Sequence, residues 1–114
     1  AEPLASYLKA HRKLSGLSQT EIAYLLDVDS PQTISRLERG TQTPDLAVAL
    51  AFEVIFDVPV QELFEGAYAD VEMQTQNHAY LLARTIEKLP EDEANRLKLR
   101  TLRRIYERAL EADD

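Results

Sequence analysis

Residues 18–40, SQTEIAYLLDVDSPQTISRLERG, carry start and stop signals for two short helices on either side of a tight turn. The Ser18 hydroxyl is placed to cap the first helix, and Glu21, three residues on, is placed to close a capping box. Ile22, Ala23, Leu25 and Leu26 give that helix an apolar face. Ser30 then caps a second helix with Pro31 as its first residue, where the missing N–H costs nothing. Ile34 and Leu37 point inward, and Gly40 supplies the left-handed residue that ends the helix. Two helices this short bury too little to stand alone. They predict a unit mounted on a scaffold and shaped to reach into a groove.

The flanking sequence predicts that scaffold. Residues 3–14 read as a first helix with Leu4, Tyr7, Leu8 and Leu14 on its inner side and Gly16 beyond its end. Thr43 is expected to cap a fourth helix opened by Pro44, with Leu46, Leu50, Val54 and the neighbouring alanines facing inward. Asp57 ends it, because Asp tolerates the left-handed conformation better than most residues. A short fifth helix, residues 60–64, adds Leu63 and Phe64 to the core before Gly66. No period-two run appears, so the chain is expected to be all-α.

Beyond Gly66 the helices lengthen and lose their turn punctuation. Ala79, Leu82, Ile86 and Leu89 form one stripe, and Leu99, Leu102, Tyr106 and Ala109 another. Pro90 is expected to end the first of these helices and open the second, with Glu91, Asp92 and Glu93 suited to its positive end. The expected layout is therefore a five-helix domain over residues 1–66 and a C-terminal helical hairpin over residues 67–114. The stripes exceed what a hairpin alone buries, which makes Leu82, Ile86, Leu99, Leu102 and Tyr106 candidate dimerisation residues. The other outcome is that both stripes fold back on the first domain.

Charge limits what the unit can meet. The chain has 114 residues and a net charge of −7. Residues 1–66 hold five Lys/Arg against ten Asp/Glu, and residues 67–114 hold eight against ten, which recovers that total. A nucleic-acid binder ordinarily shows a basic footprint, since counterion release from phosphate supplies much of its affinity. Here the basic residues of the first half are Lys9, Arg12, Lys13, Arg36 and Arg39, all in or beside the first three helices. One face can stay positive while the rest is acidic. The absence of cysteine excludes disulfides and thiolate metal sites. With no secretory signal and no run of about 20 apolar residues, a cytoplasmic, nucleoid-associated protein is expected.

The residues Leu17-Ser18-Gln19, Ile22-Ala23, Ile34-Ser35-Arg36-Leu37-Glu38-Arg39-Gly40, Pro44 and Val58-Pro59-Val60-Gln61-Glu62-Leu63-Phe64 occur in a specific order. Together, residues 4–64 resemble the lambda-repressor/Cro-type helix-turn-helix domain, the XRE family. The resemblance implies a five-helix DNA-binding fold with residues 30–39 as recognition helix in the major groove. It places Gln32, Thr33 and Arg36 toward the bases. Their chemistry agrees, since Gln pairs bidentately with adenine and Arg with guanine. Gln19, Ser30, Ser35, Arg39, Thr41 and Thr43 fall at phosphate-contacting positions. Arg12 and Glu38 match a structural ion pair. Three positions depart from the family pattern. Asp27 stands at the turn glycine, the turn is one residue longer than the commonest form, and Pro31 replaces a polar contact, leaving more to DNA shape.

The implied function is a sequence-specific transcriptional regulator, a repressor that binds a palindromic operator as a homodimer on double-stranded DNA. A second reading is an antitoxin-like module whose C-terminal helices bind a partner protein, with or without DNA binding. No catalytic or metal site and no cofactor is expected. His11 and His78 lie far apart and are assigned to the surface, and no phosphate-binding glycine loop or nucleophile motif appears. Tyr7, Tyr24 and Phe52 read as core or boundary aromatics. Arg96, Lys98, Arg100, Arg103, Arg104 and Arg108 read as a solvated helix face.

Overall fold

The computed structural model describes residues 6–112, with side chains to residue 108. Its described residues are all helix and connection: α1 (Leu8–Ser15), α2 (Gln19–Leu26), α3 (Pro31–Arg39), α4 (Leu46–Phe56), α5 (Val60–Leu63), α6 (Glu65–Ile86) and α7 (Glu93–Ala112). The all-α expectation holds. The chain divides into two compact units, one ending at Tyr68 and the other beginning at Ala69.

In the first unit the local signals act as expected at α2 and α3. Ser18 Oγ accepts the Glu21 N–H at 3.0 Å while Glu21 Oε1 accepts the Ser18 N–H at 2.9 Å, a complete capping box. Ser30 caps α3 by accepting the Gln32 N–H at 3.1 Å, with Pro31 in the first turn. Each of the first four helices ends on a left-handed residue: Gly16, Asp27, Gly40 and Asp57. For the two aspartates, at φ 56 and 55, a short polar side chain makes that conformation bearable.

Those stops fold the helices around one core. Leu8, Ile22, Ile34, Leu37, Phe52 and Leu63 are fully buried, each contributing about 1.5–3 kcal/mol of transfer free energy. Phe52 stacks with Phe56 at 5.9 Å and meets Phe64 edge-on at 6.1 Å.

Several expected positions are corrected. Among the described residues α1 starts at Leu8, because the Tyr7 N–H is held by the Leu63 carbonyl at 3.0 Å; Pro3 and Leu4 lie outside them. Leu14 is 84% exposed. Six residues after Leu8, it sits about 240° round the helix and cannot share its face. The cap of α4 is Asp45, whose carboxylate accepts the Val48 N–H at 2.9 Å, and not Thr43. Leu46, Leu50 and Val54 face solvent, while Ala49 and Phe52 are buried and Ile55 and Phe56 pack against them. Ten of the eleven α4 residues are apolar, so periodicity could not mark the inner face. Leu25, Tyr24 and Tyr7 are also exposed, and His11 is half-buried with its ring 6.0 Å from Phe56.

Farther along the chain Gly66 proves to be no stop, since α6 runs through it. Pro90 neither ends α6 nor opens α7. α6 closes at Ile86 with i→i+3 turns at Lys88 and Leu89, and Asp92 caps α7 by accepting the Asn95 N–H at 2.8 Å. The buried stripe of α6 is Ala79, Ala83 and Ile86; Leu82 and Leu89 are about half exposed. Leu99, Leu102 and Tyr106 are half-buried, and Tyr106 meets Tyr80 edge-on at 5.4 Å. The Ala109 side chain lies outside the described residues. Among the described residues no helix is long and apolar enough to cross a membrane.

Candidate nucleic-acid interface

α3 has two unlike sides. Ile34 and Leu37 are buried at 0% and 2% exposure, which turns Gln32 and Arg36 outward and leaves Thr33 and Ser35 half-exposed between them. The helix is therefore anchored by its apolar side, and its polar side is free to meet a ligand.

What holds α3 against its neighbours is one charged network. Arg12 Nε donates to Glu38 Oε2 at 2.5 Å and Nη2 to Oε1 at 3.3 Å, while Nη1 donates to the Leu17 carbonyl at 3.3 Å. The Glu38 side chain is only 4% exposed and that of Arg12 15%, so water screens the pair weakly. The hydrogen bond to Glu38 pushes the Arg12 guanidinium further above its already high ordinary value. Gln19 Nε2 donates to Glu38 Oε1 at 3.0 Å. One carboxylate thus ties α1, α2 and α3 together. It also leaves Gln19 one amide hydrogen to offer a phosphate.

The outward residues are less uniformly available than their positions suggest. Arg36 Nε donates to Gln42 Oε1 at 2.9 Å, and Nη2 to Thr33 Oγ1 at 3.4 Å. These two neutral partners hold the guanidinium without cancelling its charge. Gln42, in the connection after α3, was missed by sequence reasoning, because nothing local marks a residue six positions away as a support. Gln32 folds back so that its side-chain oxygen accepts from the Ser30 hydroxyl. It presents only its N–H donors there, and a bidentate adenine contact requires it to swing away. The Ser30 hydroxyl is consumed by that bond and by its capping role.

Thr41 spends its hydroxyl hydrogen on the Arg36 carbonyl at 3.2 Å, closing the end of α3. Among the described residues Arg39 uses only Nε, donating to the Ser35 carbonyl at 3.3 Å. Thr43 is exposed. With Arg12 committed to Glu38, the exposed cations of α1–α3 are Lys9, Lys13, Arg36 and Arg39. Asp27 and Asp29 are exposed in the α2–α3 turn, beside the start of the outward face.

Among the described residues no group of three or more His, Asp or Glu is placed to hold a metal ion. Residues 8–63 match a protein family described as Helix-turn-helix. The match begins at the first residue of α1 and ends at the last residue of α5. No curated protein matches the chain.

Proposed function

We propose that this chain, whose residues 8–63 belong to the lambda-repressor/Cro-type helix-turn-helix family of DNA-binding transcriptional regulators, is a repressor that binds a palindromic operator as a homodimer. The observation that carries the reading is the polar side of α3, where Arg36 stands exposed and braced while Ile34 and Leu37 anchor the helix behind it. In this reading Arg36 reads a guanine, and Gln32 and Thr33 contact neighbouring bases. Gln19, Ser35 and Arg39 meet phosphates and set the register. Ser30, Thr41 and Thr43 line the same edge, with Ser30 and Thr41 reaching phosphate only if they give up their present bonds.

A two-fold dimer places two copies of α3 about 34 Å apart, one helical turn, or a multiple of it. Dimerisation would use the hairpin, through Leu82 and the part-exposed edges of Leu99, Leu102 and Tyr106, with Ile86 supporting them from inside. The protein would act in the cytoplasm, on the nucleoid. The second reading, an antitoxin-like module holding a partner protein on its C-terminal helices, is favoured by Leu81, Leu82 and Leu97 standing in water.

Selection of bound sequences from a random DNA pool tests the leading reading. A two-fold symmetric consensus is expected. Arg36→Ala should relax preference at one base pair per half-site, whereas Gln19→Ala should weaken all sequences alike. Equal losses on specific and random DNA for Arg36→Ala would remove it from the base readers.

A further inference from the structure

The second unit holds a groove of about 760 Å³ between the end of α6 and the side of α7. Ile86, Leu89 and Leu99 give it an apolar floor, and Arg96, Arg100 and Arg104 line it at successive helical turns. Successive arginines four residues apart stand about 6 Å apart along α7, so the row spans about 12 Å. Among the described residues none of the three forms an ion pair, whereas Arg103 reaches Glu87 at 3.7 Å. Glu91 and Glu107 lie toward the two ends of the row.

The geometry points to a specific occupant: an amphipathic helix of a partner protein that sets apolar side chains on the floor and a row of carboxylates against Arg96, Arg100 and Arg104. A helix carrying Glu or Asp at i, i+4 and i+8 repeats the same 6 Å step, so all three arginines pair in register. A small monocarboxylate would satisfy one arginine and leave two. A two-fold dimer across this groove would bring the same arginines to it, like charge against like. A nucleic-acid strand would meet Glu87, Glu91 and Glu107 among the arginines. The two glutamates at its ends disfavour carboxylates beyond the matched three, and so limit sliding.

The proposal rests on residues 69–114 acting as a partner-binding unit. DNA selection interrogates the other unit, so the two readings can fail separately. The test uses the full chain and two labelled synthetic helical peptides, one with Leu on one face and Glu at i, i+4 and i+8, the other with Gln at those three places. Fluorescence anisotropy at low salt should show the Glu peptide binding roughly tenfold tighter than its twin, the sum of three exposed ion pairs. The triple variant R96Q/R100Q/R104Q should erase that preference while keeping the parent melting temperature, since all three side chains are exposed. The proposal is overturned if the Glu peptide fails to bind, if the twins bind alike, or if the preference survives in the variant. Dissociation of a dimer by the triple variant would assign the groove to a second copy instead. Loss of affinity for a DNA fragment would assign the arginines to phosphate.

Discussion

Between Leu8 and Phe64, four helices in succession stop on a left-handed residue and three begin on a side chain that accepts a backbone N–H. From Glu65 onward the described residues form two long helices with one such cap, at Asp92. The cores differ in the same way. The first unit buries Phe52 and five large aliphatic side chains beside a part-buried charged pair. The second buries Ala79, Ala83 and Ile86 and leaves Leu81, Leu82 and Leu97 in water. Frequent stops let a short chain return upon itself and enclose a core. Two helices without a third enclose little, so much of their apolar surface stays available to another molecule. The contrast is between a unit that closes over its own core and one whose apolar residues are less fully covered.

The largest test of that contrast compares Phe52→Ala with Ile86→Ala. The first should cost about 3–5 kcal/mol and melt the first unit; the second should sit near the lower end of its class, about 2 kcal/mol. Urea denaturation followed by circular dichroism measures both. Equal costs would mean that the hairpin is as tightly packed as the first unit.

Next comes Arg12→Ala, which strands Glu38 with Gln19 as its remaining side-chain partner. A loss of about 3 kcal/mol is expected, near the lower bound for breaking a buried pair. Because Gln19 leans on the same carboxylate, operator affinity should fall more than stability at a second site would explain. A variant with full stability and unaltered DNA binding would show that the network is ornamental.

The left-handed stops offer a smaller pair of tests. Gly40, at φ 75, should lose about 1–2 kcal/mol on change to alanine, in thermal melts. Asp27→Gly, at φ 56, should be neutral or stabilising, and it removes a carboxylate from the edge of α3. Binding to any DNA should therefore tighten at low salt. Unchanged affinity would place Asp27 away from the phosphates.

The smallest effect is a pH dependence at the capping box. The hydrogen bonds from Ser18, the backbone N–H foremost, lower the Glu21 pKa below its ordinary 4.5. The capping contribution is therefore complete above that value and is lost as pH falls through the lowered one. The stability difference between the parent and Glu21→Gln should be constant at neutral pH and should close in acid. A gap that persists in acid would show that the carboxylate charge is irrelevant to the cap.

How much of this was legible in the sequence depended on range. Caps at Ser18 and Ser30, the stops at Gly16, Gly40 and Asp57, and the inward Ile34 and Leu37 all follow from residues within four positions of one another. The inner face of α4 was not legible, because an almost wholly apolar helix has no polar side to point away from. Nor were the uses of Gln19 and Gln42, whose partners lie 19 and 6 residues away. The Pro90 turn misled for a related reason: proline marks a break, but the Asp92 carboxylate decides where the next helix starts.

By itself, then, the sequence determined the all-helical class, the capped starts of α2 and α3, and which side of α3 faces out. Capping, left-handed termination and periodicity are local, and the backbone answers to them before any distant contact forms. Only the tertiary structure decided that Gln19 shares the Glu38 carboxylate with Arg12, that Gln42 and Thr33 brace Arg36, and that three arginines of α7 line one groove. Those outcomes depend on where separate helices come to rest against one another, and burial settles that over the whole unit.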